Sequence, residues 1–525
     1  MAATYQARTQ QSVKNTIAST ANFVLLLPTQ FILRYFLAKY FGIEYLGLNG
    51  LFNSILSVLS LVDMGVSASI TYALYRPLAD HDTTMINALM RLYRRIYHCC
   101  TIGVILLGVC LLPFLQLFTK HQFQAANVSL IFLIMVFNMA STYFLAYSQA
   151  LLIADQRNRL ISWTGLVSGL ITLLLQIALI VITKNIYGYI VIAMAITIIY
   201  NILLSRFVKR AYHLQVTTEK VPKAVMVKLI GNTVGNGLTR FSSVVVSGTD
   251  GILISMFVGL PALGRYSNYL LITNAMQRFL YQLFSSVQAS IGNFGTTRTK
   301  HEGYALFKRL NFINFAISAV ITGGLVSCAN PLIELWLGEH YVLTVTNVVL
   351  IAAALFFINY LVVTLNFISA YGLSHKMKLV PILESLANIG LGLVFLAVFH
   401  LGLNGVLIAT ILSTTITVGW QKPFLLFKHG FQKPFRLFIG DEIKDVLVVS
   451  LIVAVNVMIL MAGENYWKLS TLNQLAMNFG CSILTSVVIV LVCYLRDARL
   501  EYVISLVRGL SGQLWFNLVA TKRKN

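Results

Sequence analysis

Two stretches decide the fold: KYFGIEYLGLNGLFNSI at residues 39–55 and SMFVGLPALGRYSNYLLI at 255–272. Each leaves a long apolar run, passes a short turn and enters a second apolar run. Gly42 matches Gly259 and Gly47 matches Gly264, both at an offset of 217. Further along, RLISWTGLVSGL (159–170) and KLVPILESLANI (378–389) each begin an apolar run straight after a basic loop, at an offset of 219. A repeat of this length in an apolar chain implies two structural halves. We place them at 1–215 and 216–430, with 431–525 appended.

The composition says what these runs are. Of the 525 residues, 58% are hydrophobic and only 11% charged, and the mean hydropathy is +0.79. That is far more apolar than a soluble domain. The runs reach about 20 residues, the length with which an α-helix crosses a bilayer, and lack the alternation of barrel strands. The expected fold is an all-α polytopic membrane protein of about fourteen spans. They lie near 17–39, 47–74, 95–118, 127–153, 160–183, 186–206, 230–258, 265–290, 310–333, 343–370, 379–399, 402–421, 446–463 and 472–495. The first span is too long for a signal peptide and is read as retained. Six spans per half is an even number, so both halves enter the membrane in the same sense, related by a pseudo-twofold along its normal.

A net charge of +22 raises nucleic acid as a ligand, but the placement of the charge argues for topology. With the N-terminus inside, the inner loops and tails collect 31 of the 39 Lys and Arg residues. This is the positive-inside pattern, with both termini cytoplasmic. The six cysteines, Cys99, Cys100, Cys110, Cys328, Cys481 and Cys493, lie in or beside apolar spans without C-x-x-C or metal-ligand spacing, so no metal site is expected. There is no P-loop, no H-E-x-x-H and no paired carboxylate at catalytic spacing, so neither an enzyme nor a cofactor is expected. The short outer loops argue against a membrane glycosyltransferase or polymerase.

Polar residues inside the spans are costly, and they point to function. On the seventh span Asn236, Arg240, Ser243, Ser247 and Asp250 follow helical spacing, and on the eighth so do Ser267, Asn274, Arg278 and Gln282. Both stripes are expected to line an aqueous cavity. The repeat adds Arg34 on the first span, Asn53 and Asp63 on the second, and Asn268 opposite Asn53 on the eighth. Three arginines against two aspartates suit an anionic ligand, since guanidinium groups bind phosphate through two parallel hydrogen bonds. Asp63, Asp250, Arg240 and Arg278 can equally serve as interhelical ion pairs, and Arg34 can snorkel outward. Glu384, with Asn388 one turn later, opens the eleventh span, where it can offset Lys376 and Lys378 or cap a helix. The segment YVISLVRGLSGQLWFNLV (502–519) fits an amphipathic helix on the inner leaflet.

With KNTIAS near the N-terminus, YFGIEYLGLNGLFNSILSVLSLVDMGVSASITYALYRPLA, SGTDGILISMFVGLPALGRYSNYLLI, SIGNF (290–294), PLIELWLGEHY (331–341) and PILESLANIG, the chain resembles the Wzx-like polysaccharide repeat-unit flippases. These belong to the multidrug/oligosaccharidyl-lipid/polysaccharide exporter superfamily, and the resemblance runs to about residue 430. It implies a V-shaped pair of six-helix lobes and an undecaprenyl-diphosphate-linked oligosaccharide moved from the inner to the outer leaflet of a bacterial plasma membrane by alternating access. It also implies a place in capsule or exopolysaccharide biosynthesis, beside the polymerase and glycosyltransferases of the same pathway. In it Arg34, Arg240 and Arg278 would hold the diphosphate. Asn53, Asn236, Ser243, Ser247, Asn268, Asn274 and Gln282 would face the sugar, and Asp63, Asp250 and Glu384 would bind a coupling proton or sodium ion. A peptidoglycan-precursor or teichoic acid flippase, or a multidrug or cation exporter, are the neighbouring alternatives.

Overall fold

The computed structural model describes residues 2–63, 65–119, 124–215, 217, 219–377, 379–465 and 470–505. Every regular element among them is a helix. In chain order they are α1 (Ala2–Leu59), α2 (Val66–Ala79), α3 (Thr83–Leu111, continued by Leu115–Thr119), α4 (Ala125–Phe144), α5 (Tyr147–Ala154), α6 (Asn158–Thr183) and α7 (Ile186–Ala211). There follow α8 (Lys223–Leu253, extended by a π turn to Val258), α9 (Leu260–Thr297), α10 (Lys300–Leu337), α11 (Val345–Tyr360), α12 (Val362–Ala370), α13 (Val380–Leu393), α14 (Gly402–Thr414, continued to Phe431), α15 (Arg436–Asn465) and α16 (Thr471–Tyr494). Eleven helical stretches among the described residues are long and apolar enough to cross a membrane. One of them, Ala18–Ala79, covers both the first and second expected spans; α8 contributes the shorter apolar stretch Val244–Val258, and α9 is not among the eleven.

Side-chain placement is that of a protein in lipid. Leu107, Leu174, Ile182, Val398, Met458 and Leu484 are all exposed, Ile182 to 80%. Fully buried positions include Asn314, Ser318, Ser327, Asn359, Asn456, Asn478 and Ser482. With hydrocarbon outside, apolar surface gains nothing by leaving it, and helices associate through small and polar residues instead. Helix starts follow local chemistry: the Asp82 carboxylate accepts from Met85 N at 2.9 Å, and Asn185 accepts from the backbone N–H groups of Tyr187 and Gly188. Thr299 and Glu302 form a reciprocal capping box at the start of α10.

The chain packs as two compact units, Met1–Ser267 and Asn268–Asn525. In the first, α1 consists of two helices that meet at a kink at Gly42, whose φ of 77° only glycine adopts readily. Gly259, with φ 124°, makes the matching turn between α8 and α9. Beyond these turns the backbones touch. A Cβ on Gly47 would overlap the Leu260 carbonyl, and one on Gly264 would overlap the Ile43 carbonyl. Both contacts repeat at the offset of 217, so they are two copies of one interaction. Gly248 and Gly251 of α8 meet Ser54 and Val58 of α1 with equally little room. A further matched feature is a break inside a span: α4 gives way to α5 at Leu145, and α11 to α12 at Leu361.

In the second unit, α10 packs against α11, α15 and α16. The amide of Asn314 donates to the Asn359 and Tyr360 carbonyls at 2.9 and 3.2 Å, so it satisfies acceptors released by the α11–α12 break. Asn478 on α16 donates to Ser327 O at 2.9 Å, and Asn456 on α15 to Ile452 O at 2.9 Å. At the ends of α10, α15 and α16 a charge network closes the unit. Arg499 binds Asp497 through Nε at 3.0 Å and Nη2 at 2.8 Å and reaches Asp441 at 3.3 Å, Lys308 binds Asp441 at 3.3 Å, and Lys444 binds Asp497 at 3.6 Å. The expected amphipathic segment 502–519 lies, from residue 506 on, outside the described residues.

Two predictions follow from these contacts. Gly47→Val and Gly264→Val each force a side chain into backbone and should cost about 1–3 kcal/mol or more, read as a lowered thermal midpoint of the purified protein. Gly324→Ala, with nothing within 4 Å of its Cβ, should leave that midpoint unchanged or raise it. The Arg499 hydrogen bonds, with help from Lys444, hold the Asp497 carboxyl at about 2. Its contribution to stability, about 2 kcal/mol, is therefore complete above the ordinary carboxylate range and is lost as pH falls towards the folded value. Thermal scans between about pH 5 and about pH 2 should show that loss, and Arg499→Gln should remove most of it.

Candidate functional site

The site is built from the helices that the glycine turns position. In the first unit Arg34 lies half-buried on α1 before the Gly42 turn. Its Nη2 donates to the Ser267 hydroxyl, which donates in turn to Gly264 O at 2.8 Å. The guanidinium is also within electrostatic reach of the buried Tyr45 and of Tyr189. Arg34 is thus turned into the protein and tied across 233 residues to the helix after the matching turn. The snorkelling alternative does not describe this conformation.

Asn53, past the turn, is exposed and donates to Asn49 Oδ1 at 2.5 Å. Asp63 sits in the one-turn 3-10 segment Ser60–Asp63 and is buried, 8% exposed, beside Tyr97 and Cys100. On α8 the side chains of Asn236, Arg240 and Ser243 lie outside the described residues. Ser247 is exposed and donates to Val244 O at 3.3 Å, whereas Asp250, one turn on, is buried at 7% beside Tyr266. The described end of this stripe therefore passes from an open position to a closed one.

In the second unit Asn274, Arg278 and Gln282 are all exposed and share one face of α9. Asn268 is fully buried. It is one residue out of phase with Ser267, and a helix rotates about 100° per residue, so Asn268 leaves the stripe that Ser267 begins. Glu384 on α13 is half-buried and accepts from the Thr414 hydroxyl at 3.3 Å, with Lys422 as its nearby cation. One turn on, Asn388 donates to Thr410 Oγ1 at 3.2 Å. Glu384 and Asn388 therefore both bond to α14. Within the described residues no group of three or more His, Cys, Asp or Glu could hold a metal ion.

Sequence reasoning missed Asp445, Tyr360 and Tyr494, which meet in the second unit. Asp445 stands in DVLVVSLIVAVNVMIL, and a carboxylate at the head of so apolar a run was the available signal.

No protein-family model and no curated protein matches the sequence. Solved structures do match in fold. The inward closed conformation of the lipid II flippase MurJ aligns with a TM-score of 0.64 at 16% identity, over 92% of this chain and 99% of that one. An inward-facing multidrug resistance MATE family transporter of the MOP superfamily aligns with a TM-score of 0.61 at 12% identity, over 78% of this chain and 98% of that one. An outward-facing MATE transporter aligns at 0.53 and 13% identity, over 77% and 92%. This chain thus has the helical fold shared by MOP-superfamily transporters and flippases.

Exposure on α9 can be read directly. In a cysteine-free background, Asn274→Cys, Arg278→Cys and Gln282→Cys should react with a small polar thiol reagent in the membrane-embedded protein. Asn268→Cys should stay unlabelled under the same conditions. Equal labelling of all four, measured by mass shift, would refute the placement of the stripe.

Proposed function

We propose that this chain is a flippase for a polyprenyl-diphosphate-linked oligosaccharide. In this reading it carries repeat units of a capsule, exopolysaccharide or similar surface polysaccharide from the inner to the outer leaflet of a bacterial plasma membrane, with both termini cytoplasmic. The observation that carries the reading is the pairing of arginine with neutral polar groups on kinked, matched helices: Arg34 with Ser267, and Arg278 on an exposed face with Asn274 and Gln282. Hydrocarbon excludes a diphosphate, and guanidinium and amide groups can replace its hydration without any covalent step. Arg34, Arg240 and Arg278 take the diphosphate. Asn53, Asn236, Ser243, Ser247, Asn274 and Gln282 take the sugar, and Asn268 supports that face from its buried side.

Asp63, Asp250 and Glu384 bind the coupling proton or sodium ion. All three are buried or half-buried and lie beside hydroxyl-bearing side chains. The moving bodies are the repeats 1–215 and 216–430, with 431–525 joined to the second.

A second reading, a flippase for a peptidoglycan precursor, is favoured by coverage. The alignment with the lipid II flippase takes in 92% of this chain, whereas the MATE transporters take in 77–78%. That difference is about the size of the two appended spans. The same comparison weighs against a drug exporter, as does the arginine excess.

The deciding experiment uses a host lacking this chain. Its lipid-linked oligosaccharides are extracted and assigned to a leaflet by surface labelling. Accumulation of a complete repeat unit on the inner leaflet, relieved by the intact gene, supports the first reading; accumulation of the peptidoglycan precursor supports the second. Units that reach the outer leaflet unpolymerised overturn both. Replacing Arg240 and Arg278 together with Gln should lower transport at least tenfold in correctly inserted protein. Asp250→Asn should abolish dependence on the ion gradient, and an unchanged dependence would remove Asp250 from that role.

A further inference from the structure

The ion-coupling reading does not use the most deeply buried carboxylate among the described residues. Asp445 on α15 is fully buried. Each of its oxygens accepts one phenol: Tyr360 Oη of α11 donates to Oδ2 at 2.8 Å, and Tyr494 Oη of α16 donates to Oδ1. Tyr360 Oη is in turn the acceptor for Asn311 Nδ2 of α10 at 3.5 Å. Asn311 Oδ1 is buried and has no hydrogen-bond partner. Four helices thus meet in one chain of polar groups, Asn311, Tyr360, Asp445 and Tyr494, each residue 5% exposed or less.

The hydrogens in this chain can be counted. With both phenols donating to it, Asp445 is in its charged form, and a third hydrogen has no place between the same oxygens. A proton arriving on Oδ2 therefore requires the Tyr360 hydroxyl to turn away and donate elsewhere. Asn311 supplies the acceptor: rotating its amide brings the uncommitted Oδ1 towards Tyr360 Oη. The new O–H on Asp445 then donates to Tyr360 Oη, and Tyr360 donates to Asn311. Each hydroxyl and carboxyl hydrogen thus has an acceptor in both states, and the bond given up is the 3.5 Å one from Asn311 Nδ2 to Tyr360 Oη.

The surroundings keep both states accessible. The same helix also carries Asp441, Glu442 and Lys444, with Lys444 Nζ 3.9 Å from the Tyr494 ring centroid. From α10, Lys308 is committed to Asp441. From the segment after α16, Arg499 lies 5.4 Å from the same ring but is held by Asp497 and Asp441. The cations near Asp445 are thus bonded to other carboxylates, and its direct partners are neutral phenols.

We propose that Asp445 is a reversible proton-binding site. Its occupancy reverses the hydrogen bond between α15 and α11 and turns the Asn311 amide on α10, while the bond to α16 through Tyr494 is kept. This makes the appended pair α15–α16 a proton-responsive part of the second unit. The proposal stands apart from the identity of the cargo and from the three carboxylates assigned to coupling.

The test is infrared difference spectroscopy on the purified full-length protein in lipid nanodiscs, titrated between about pH 8 and about pH 4. Of the protonated-carboxyl C=O bands that appear on acidification in the wild type, one should be missing in Asp445→Asn while the others remain. Tyr494→Phe removes a donor to the charged form and leaves the acceptor of the protonated form in place, so it should move the midpoint of that band to higher pH, by about one unit, a tenfold gain in proton affinity; Tyr360→Phe removes one bond from each state and should move it less than Tyr494→Phe does. Asn311→Leu removes the acceptor that the protonated state needs and should move it to lower pH. An unchanged set of bands in Asp445→Asn overturns the proposal. Where that variant does not fold, the three others decide, and midpoints that all equal the wild type overturn it as well.

Discussion

The rest of the first unit depends on a contact between backbones. At Gly47 and Gly264 two helices approach until a single methyl group would strike the opposite carbonyl. Contact at this distance fixes both separation and crossing angle, which longer side chains would leave free to vary. It forms because Gly42 and Gly259 turn the chain just before it. The turns make two short helical hairpins, and the glycines let each hairpin seat on the other. The same contact carries Ser267 to Arg34, so the backbone geometry and the candidate site have one cause.

Elsewhere the chain mixes polar groups into an apolar interior. Many leucines, isoleucines and valines face outward, while between α10, α15 and α16, among Phe312, Phe315, Val448, Ile452 and Val490, lie buried asparagine and serine. In lipid an unsatisfied polar group costs several kcal/mol, so these residues sit where another helix supplies a partner. The Asn314 amide on the carbonyls released by the α11–α12 break is one case. The network around Arg499 is another at the end of the unit, where one guanidinium serves two carboxylates and lies against the Phe312 and Tyr494 rings. These contacts make the last two spans part of the second unit's own interior.

The flippase proposed above would have to offer polar groups in an apolar setting without collapsing around them. Of its three candidate arginines, the two whose side chains are described differ in setting. Arg34 is half-buried and held by a hydroxyl, while Arg278 stands exposed on a face with Asn274 and Gln282. The carboxylates are closed in: Asp63 and Asp250 are buried, and Glu384 is shared with Thr414 and Lys422.

The class of the fold was legible from composition and run length, and the matched turns from the spacing of glycines alone. The exposed stripe on α9 was legible too, because helical periodicity determines which residues share a face. What periodicity cannot determine is what that face meets. Asn268 follows Ser267 in the chain yet is fully buried, and Asp250 closes a stripe that is open at Ser247. The partners of Glu384 on α14, Thr414 and Lys422, lie 30 and 38 residues further along the chain, beyond the reach of helical periodicity. The Asp445 node was invisible for the same reason, since its four members are spread over 184 residues, from Asn311 to Tyr494. Sequence alone determined the helices and the faces they carry, because these depend on neighbours one turn away; only tertiary structure decided which faces meet, because that depends on how whole helices cross.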